Sequence, residues 1–234
     1  MVCYGKPMYP DLEKTHRFQQ AMLKYWHEHG RHHLPWRNTS DAWRILIAEV
    51  MLRKTTASQA AGVYESLSSY SPAEIICMDK DLLANVLKPL GLHQTRAGQL
   101  QQIAQAVFDS KGEILKSDQL LRMLPGIGRY ISNTVRCCAF GVSAPSMDTN
   151  LIRVMDRVFG WVSKRKRPRE DQLLWKQAET FVPKDMAREF NWGMLDFASA
   201  ICTHRRPKCE DCPINDICNY YATVRQTQTV GQIE

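Results

Sequence analysis

Four cysteines, Cys202, Cys209, Cys212 and Cys218, are spaced C-x6-C-x2-C-x5-C and fall within seventeen residues. Thiolates this close in sequence can close on one metal centre with little loop-closure cost. An iron–sulfur cluster, held by four cysteines, is one occupant the spacing suits. Two other uses stay open on spacing alone. Structural zinc also takes four cysteines, usually as two C-x2-4-C pairs, and here only Cys209 and Cys212 form such a pair. Disulfides would require an oxidising compartment.

A second set of residues could act on a phosphate and a sugar. In Leu124-Pro125-Gly126-Ile127-Gly128-Arg129-Tyr130, Pro125 ends one helix, and the two glycines permit conformations and close approaches that a side chain forbids. The next helix starts near Gly128, so its free N–H groups point out of the turn and suit an approaching phosphate. An ordinary helix–helix turn with glycine caps would read the same way. Asp148 follows a Gly/Pro-containing loop (residues 140–147) at the start of another helix. Asp is a good N-cap, and a helix N-terminus keeps its carboxylate ionised. The residue is then either a cap alone or a fixed negative charge. Glu49 lies in the almost wholly apolar run Trp43–Leu52, where partial burial would raise a carboxyl pKa. The exposed edge of an amphipathic helix is the other place for it.

These residues need helices to hold them. Apolar residues at helical spacing predict helices over Leu12–His27, Ala42–Gln59, Leu82–Leu87 and Gln99–Phe108. Further stripes cover Val135–Phe140, Leu151–Phe159, Leu173–Phe181 and Phe190–Ile201. The run Asn38-Thr39-Ser40-Asp41 is a dense N-cap signal. Alternating β-branched runs bounded by hairpin dipeptides are almost absent, so the expected fold class is all-α. The polar segment 222–234 is expected to be a disordered tail.

The 234 residues are enough for one large or two small domains, and 44% are hydrophobic. No apolar run reaches the length of a membrane span, and the N-terminus carries no signal-peptide core. Eight cysteines without an export signal lead us to expect reduced thiols inside the cell, in cytoplasm or nucleoid, and no membrane partner. A net charge of +7 favours a polyanion. The positive charge concentrates at Lys164–Arg169, which could equally be a solvated loop, and at Arg205, Arg206 and Lys208 inside the first cysteine loop. Four histidines at 27, 29, 32 and 33 are too irregular for a metal site, and Cys137-Cys138 reads as core.

The cysteine spacing resembles the [4Fe–4S] loop of the endonuclease III/MutY group of DNA glycosylases. The hairpin resembles their L-P-G-x-G helix–hairpin–helix. Asp148, twenty residues after Gly128, matches the Asp of the helix–hairpin–helix/GPD superfamily. Leu34-Pro35-Trp36-Arg37 followed by Ala48-Glu49-Val50-Met51-Leu52 resembles the PWR…SEVMLQQT stretch of MutY. The resemblance covers residues 15–221. It implies a two-lobed all-α fold: a helical barrel domain with the hairpin at 31–141, and a cluster domain built from 1–30 plus 142–221. It implies double-stranded DNA with a mismatched or damaged base as partner, a monomeric protein, and a base flipped into a pocket holding Glu49, Tyr130 and Asp148. In such a site the Asp stabilises the oxocarbenium-like sugar and the Glu is the acid/base. Gly126, Gly128 and Arg129 would meet phosphates, as would Arg205, Arg206 and Lys208. Arg53, Lys54 and Gln94 are candidates to fill the duplex hole and read the widowed base.

Endonuclease III has a Schiff-base lysine where this chain has Tyr130, which implies base release without strand cleavage. Leu52-Arg53-Lys54-Thr55-Thr56-Ala57 looks like the L-R-R-T-T-A of Mig-type mismatch glycosylases, where MutY has L-Q-Q-T. Asn191-Trp192-Gly193-Met194-Leu195-Asp196-Phe197 resembles their N-L-G-L-M-D-F, and Tyr130 matches their tyrosine. The sequence also ends shortly after the cysteines, without the C-terminal domain by which MutY recognises 8-oxoguanine. The expected activity is therefore release of thymine or uracil opposite guanine in base excision repair. The alternatives are a MutY-like adenine glycosylase and a non-catalytic iron–sulfur DNA-binding protein, which would need neither Glu49 nor Asp148.

Overall fold

Helix starts in this protein follow its caps. In a computed structural model that describes residues 11–230, with side chains through 225, Asp11, Asp41, Asp79, Asp148 and Asp171 each cap a helix with a side-chain oxygen. Ser71 and Thr56 close full capping boxes with Glu74 and Gln59. Each such cap is worth about 1 kcal/mol. The helices are α1 (Leu12–His29), α2 (Ala42–Leu52), α3 (Ala57–Leu67), α4 (Pro72–Cys77), α5 (Lys80–Leu87) and α6 (His93–Asp109). They continue with α7 (Asp118–Leu121), α8 (Arg129–Phe140), α9 (Thr149–Phe159), α10 (Gln172–Phe181), α11 (Ala187–Ala200) and α12 (Asn219–Val230). Among the described residues there is no strand, and no helix is long and apolar enough to cross a membrane.

Two expectations are corrected. The single helix foreseen over Ala42–Gln59 is two, because Lys54 takes a left-handed conformation (φ 54°) and the Thr56/Gln59 box starts α3 afresh. The tail expected over 222–234 is helical in α12 as far as Val230, and residues 231–234 lie outside the described residues. The start of α12 is tied down by buried Tyr221, whose hydroxyl donates to Glu210 at 2.7 Å.

The chain divides into two units, Arg31–Ser146 and Met1–Gly30 with Met147–Glu234. The sequence-derived boundary at 141 falls inside a loop that the first unit keeps. Asn133 Nδ2 donates to the Pro145 carbonyl (2.9 Å), and Thr134 Oγ1 donates to Ser146 Oγ (2.9 Å). Within this unit α2 is buried nearly all round, through Ile45, Leu46, Ile47, Ala48, Val50 and Met51, and it packs on α8 and α3. A helix apolar on every side is a central helix.

In the other unit Phe18, Phe159, Phe181 and Phe190 meet edge to face, with Phe159 and Phe181 centroids 4.7 Å apart. Helix α1 lies on α11 so closely that a Cβ at Gly193 would overlap the Met22 carbonyl oxygen. Because that neighbour is backbone, it cannot rotate away. We expect Gly193→Ala to destabilise the protein by about 1–3 kcal/mol, the usual cost of overpacking. Gly62→Ala, in α3 with nothing within 4 Å, should be neutral or stabilise by up to about 1 kcal/mol. Denaturant unfolding followed by circular dichroism measures both.

Candidate functional site

The hairpin joins α7 to α8. Gly126 has φ 75°, a conformation that favours glycine, and the Arg53 guanidinium lies in the space beside it. Gly128 differs from expectation. It is extended (φ −97°, ψ −178°), with nothing within 4 Å of its missing Cβ. Neither its conformation nor a protein neighbour demands glycine there, and the space in front of it is open. Gly128 caps α8 without a side-chain bond, and no acidic residue sits in the first turn. Half-exposed Arg129 and Tyr130 open that turn. Glu49 is buried in α2, the helix that packs on α8.

The α2–α3 turn is held by one buried cation. Arg96 of α6 donates through Nε to the Gly91 carbonyl (2.9 Å), through Nη1 to that of Val50 (2.7 Å), and through Nη2 to the Arg53 carbonyl and Thr55 Oγ1. Burial and the nearby Arg53 charge lower its pKa. This anchor fixes the strained backbone at Lys54, whose side chain is exposed. Arg53 itself turns inward, donating to Gln99 Oε1 (3.0 Å) beside Gly126, rather than standing free with Lys54. Exposed Gln94 donates to Asp81 at 3.3 Å. Leu92, 63% exposed and also left-handed (φ 52°), precedes α6. Sequence reasoning missed both Leu92 and Arg96. Leu92 left a usable signal, an apolar residue between Gly91 and a helix start, whereas Arg96 left none.

Asp148 caps α9. Its Oδ1 accepts from the N–H groups of Asn150 and Leu151, both at 2.8 Å, and its Oδ2 accepts from Asn150 Nδ2 at 2.6 Å. Burial nevertheless raises its pKa from the ordinary Asp value, with these bonds and the Arg153 charge pulling the other way. Asn150 in turn accepts from Arg153 Nη1 (2.9 Å), and Arg153 Nε donates to the Cys202 carbonyl (2.9 Å). One turn on, Arg157 donates to the carbonyls of Thr203 and His204. The spacing Asn150, Arg153, Arg157 lies on one helical face and could have been read from the sequence.

Cys202, Cys209, Cys212 and Cys218 line one cavity, with Val158, Phe197, Ile201 and Ile214 among the walls. Four thiol donors around one shared, largely apolar pocket are the donor set of an iron–sulfur cluster, so the residues present fit that group. Burial pushes the Cys212 thiol up to about 12 and also raises Cys209 and Cys218. A cationic iron core reverses that tendency by binding the thiolates. Between the first two cysteines, Arg205, Arg206 and Lys208 are exposed. The loop is folded by bonds from Thr203 Oγ1 to the Arg206 carbonyl (2.6 Å) and from the Lys208 N–H to the Ile201 carbonyl (2.9 Å). The remaining basic run, Lys164–Arg169, is an exposed loop after α9, and Cys137 and Cys138 are buried in α8.

A helical fold with an open helix–hairpin–helix, a capped Asp after it and a four-cysteine loop defines a class of DNA repair protein. Residues 47–179 match the model of the HhH-GPD superfamily base excision DNA repair proteins, and residues 202–218 match the iron-sulfur binding domain of endonuclease III. A thymine-DNA glycosylase of Aeropyrum pernix is 41% identical over 219 residues, covering 92% of this chain and 98% of that protein. A thymine/uracil-DNA glycosylase of Pyrobaculum aerophilum is 39% identical, covering 88% and 92%. The solved structure of a thermostable thymine-DNA glycosylase superposes with a TM-score of 0.84 at 36% identity, over 90% of this chain and 98% of that one. The chain belongs to the helix–hairpin–helix/GPD superfamily of base excision DNA repair proteins. It is a DNA glycosylase, and its cofactor is a [4Fe–4S] cluster.

The raised pKa of Asp148 makes a stability prediction with a definite sign. A carboxyl whose folded pKa is raised contributes stability below its unfolded pKa and loses it as pH rises through the folded value. At pH 7 the group therefore costs stability. Asn caps helices as well as Asp does, so Asp148→Asn keeps the cap and removes the cost. We expect the variant to melt higher than the parent at pH 7, and the difference to shrink as pH falls towards 4. Melting curves at the two pH values test this.

Proposed function

We propose that this glycosylase excises thymine or uracil mispaired with guanine and does not cut the strand. The observation that carries the reading is Asp148, a carboxylate kept at a helix N-terminus by three hydrogen bonds although burial disfavours its charge. Perturbed carboxyls of this kind cluster at functional sites. The likeness to thymine and thymine/uracil glycosylases supports the choice of base.

In this reading the target nucleotide is flipped out, and a mismatch lowers the cost of doing so. The C1′–N bond breaks with its electron pair leaving on the base. Asp148 stabilises the cationic sugar by its charge, or captures it at C1′ until water adds. Glu49 moves the proton, giving it to the base or taking it from the attacking water. Tyr130 lies at the edge of the open hairpin and contacts the base. Gly126, Gly128 and Arg129 receive a phosphate on the uncapped start of α8. The inward turn of Arg53 against Gly126 favours a phosphate for its guanidinium over the edge of the widowed guanine. Lys54 and Leu92, both exposed at left-handed positions, are better placed than Arg53 to fill the duplex hole, Leu92 as an apolar wedge. Gln94 remains a base-reading candidate once it leaves Asp81. Cys202, Cys209, Cys212 and Cys218 hold the cluster, which cross-links the loop that aims Arg205, Arg206 and Lys208 at phosphates. The protein acts as a monomer inside the cell.

Single-turnover rates on duplexes carrying T/G, U/G, A/G and A/8-oxoG test the base. Release of thymine and uracil should be fastest, and an adenine preference would overturn the assignment. On the T/G duplex, Asp148→Asn should abolish release while DNA affinity survives, because losing a negative charge lessens repulsion from phosphate. Near-parental turnover would remove Asp148 from the mechanism.

The lack of strand cleavage has its own test. With Tyr130 in place of a lysine, no amine stands at that position to form a Schiff base. The parent should leave abasic strands intact until alkali or heat is applied, and should give no borohydride-trapped complex. Tyr130→Lys should gain trapping. Efficient trapping by the parent would mean that another amine attacks the sugar.

A further inference from the structure

Arg157 makes contacts around the cysteine loop that capping a helix does not require. It sits in the last turn of α9, within the wall of the cavity that the four cysteines share. Nη1 lies 3.4 Å from Cys202 Sγ and 2.6 Å from the Thr203 carbonyl, and Nη2 donates to the His204 carbonyl at 2.8 Å. The guanidinium also lies over the Tyr220 ring, 5.0 Å from its centroid, which fixes its plane. One planar fork thus reaches a ligand sulfur and the first two carbonyls of the basic loop. A lysine could supply the charge but not the three directions.

We propose that Arg157 is a positioning residue for the cluster. By an N–H···S bond to the Cys202 thiolate it tunes the potential and retention of the cluster, and by the same fork it sets the start of the DNA-facing loop. The inference rests on the ligand assignment above and goes beyond it, since ligation by four cysteines does not require a donor to any sulfur. The chemistry follows from charge. A hydrogen bond withdraws electron density from a ligating sulfur, so it favours the more reduced, more negative state of a cluster and raises its potential. It also holds the thiolate against protonation and release. Loss of such an outer contact commonly weakens metal binding by about 10-fold to 100-fold.

The test uses full-length protein purified with its cluster. In Arg157→Met, chelator-driven loss of the cluster absorbance should accelerate by about tenfold, the reduction potential should move to a more negative value, and duplex affinity should fall. Arg157→Lys should recover part of the DNA affinity without recovering the potential. A measurement on the parent alone guards against a variant that does not fold. Exchange into deuterium oxide should shift the Fe–S stretching band of Cys202, the sulfur Arg157 reaches, in resonance Raman spectra. Parental protein containing no iron would overturn the ligand assignment, and this inference with it. A cluster-bearing parent whose Fe–S bands ignore deuterium would overturn the sulfur bond alone. So would an Arg157→Met variant with parental potential and retention, or full recovery of both by lysine.

Discussion

Two opposing effects meet on one carboxyl at the head of α9. Burial pushes the Asp148 pKa up, and the first turn of α9 opposes that with two backbone N–H groups and the Asn150 amide. Hydrogen bonds to a charged group are worth about 1.5–3 kcal/mol each, so they hold back part of that rise. The polar face of α9 carries that arrangement onward. Asn150 is oriented by Arg153, Arg153 grips the Cys202 carbonyl, and Arg157 grips the two carbonyls that follow. The apolar face meanwhile buries Leu151, Val154, Met155 and Val158. One eleven-residue helix thus carries the charge at one end and the cysteine loop along its flank.

The other unit shows the same economy at a turn. Arg96 donates to five acceptors, four carbonyls and the Thr55 hydroxyl, none of them a carboxylate. A buried guanidinium satisfied by neutral acceptors alone is costly, and such an anchor persists where it over-determines a strained backbone. Here that backbone is Lys54. The result is an exposed left-handed corner that stays in place without help from a ligand.

What the sequence made legible was whatever chemistry it wrote within a few residues. The cysteine spacing, the two glycines beside Pro125 and the carboxylate after a Gly/Pro loop are each local patterns, and the helices between them follow a local period. What escaped depends on distant groups. Nothing near Arg96 in sequence announces that carbonyls forty residues away will need it. Gly128 looked like a conformational requirement and is extended backbone, because a glycine needed for open space reads no differently from one needed for a positive φ. Ala42–Gln59 looked like one helix because apolar residues stand on both sides of Arg53–Thr56, and the break rests on the left-handed Lys54 together with the Thr56/Gln59 box that starts α3.

The unit that carries the cysteines is assembled from both sides of the other one. Helix α1 must wait for α11 before Phe18, Met22 and Tyr25 are covered, and more than a hundred and fifty residues separate them. The segment 31–146 is continuous and can close as soon as it leaves the ribosome. During synthesis at about 5–20 residues per second, the greasy side of α1 therefore stays unsheltered for on the order of ten seconds or more. A nascent chain that has not yet reached α11 carries α1 as an orphan helix. Any shortage of holding chaperones would be felt there first.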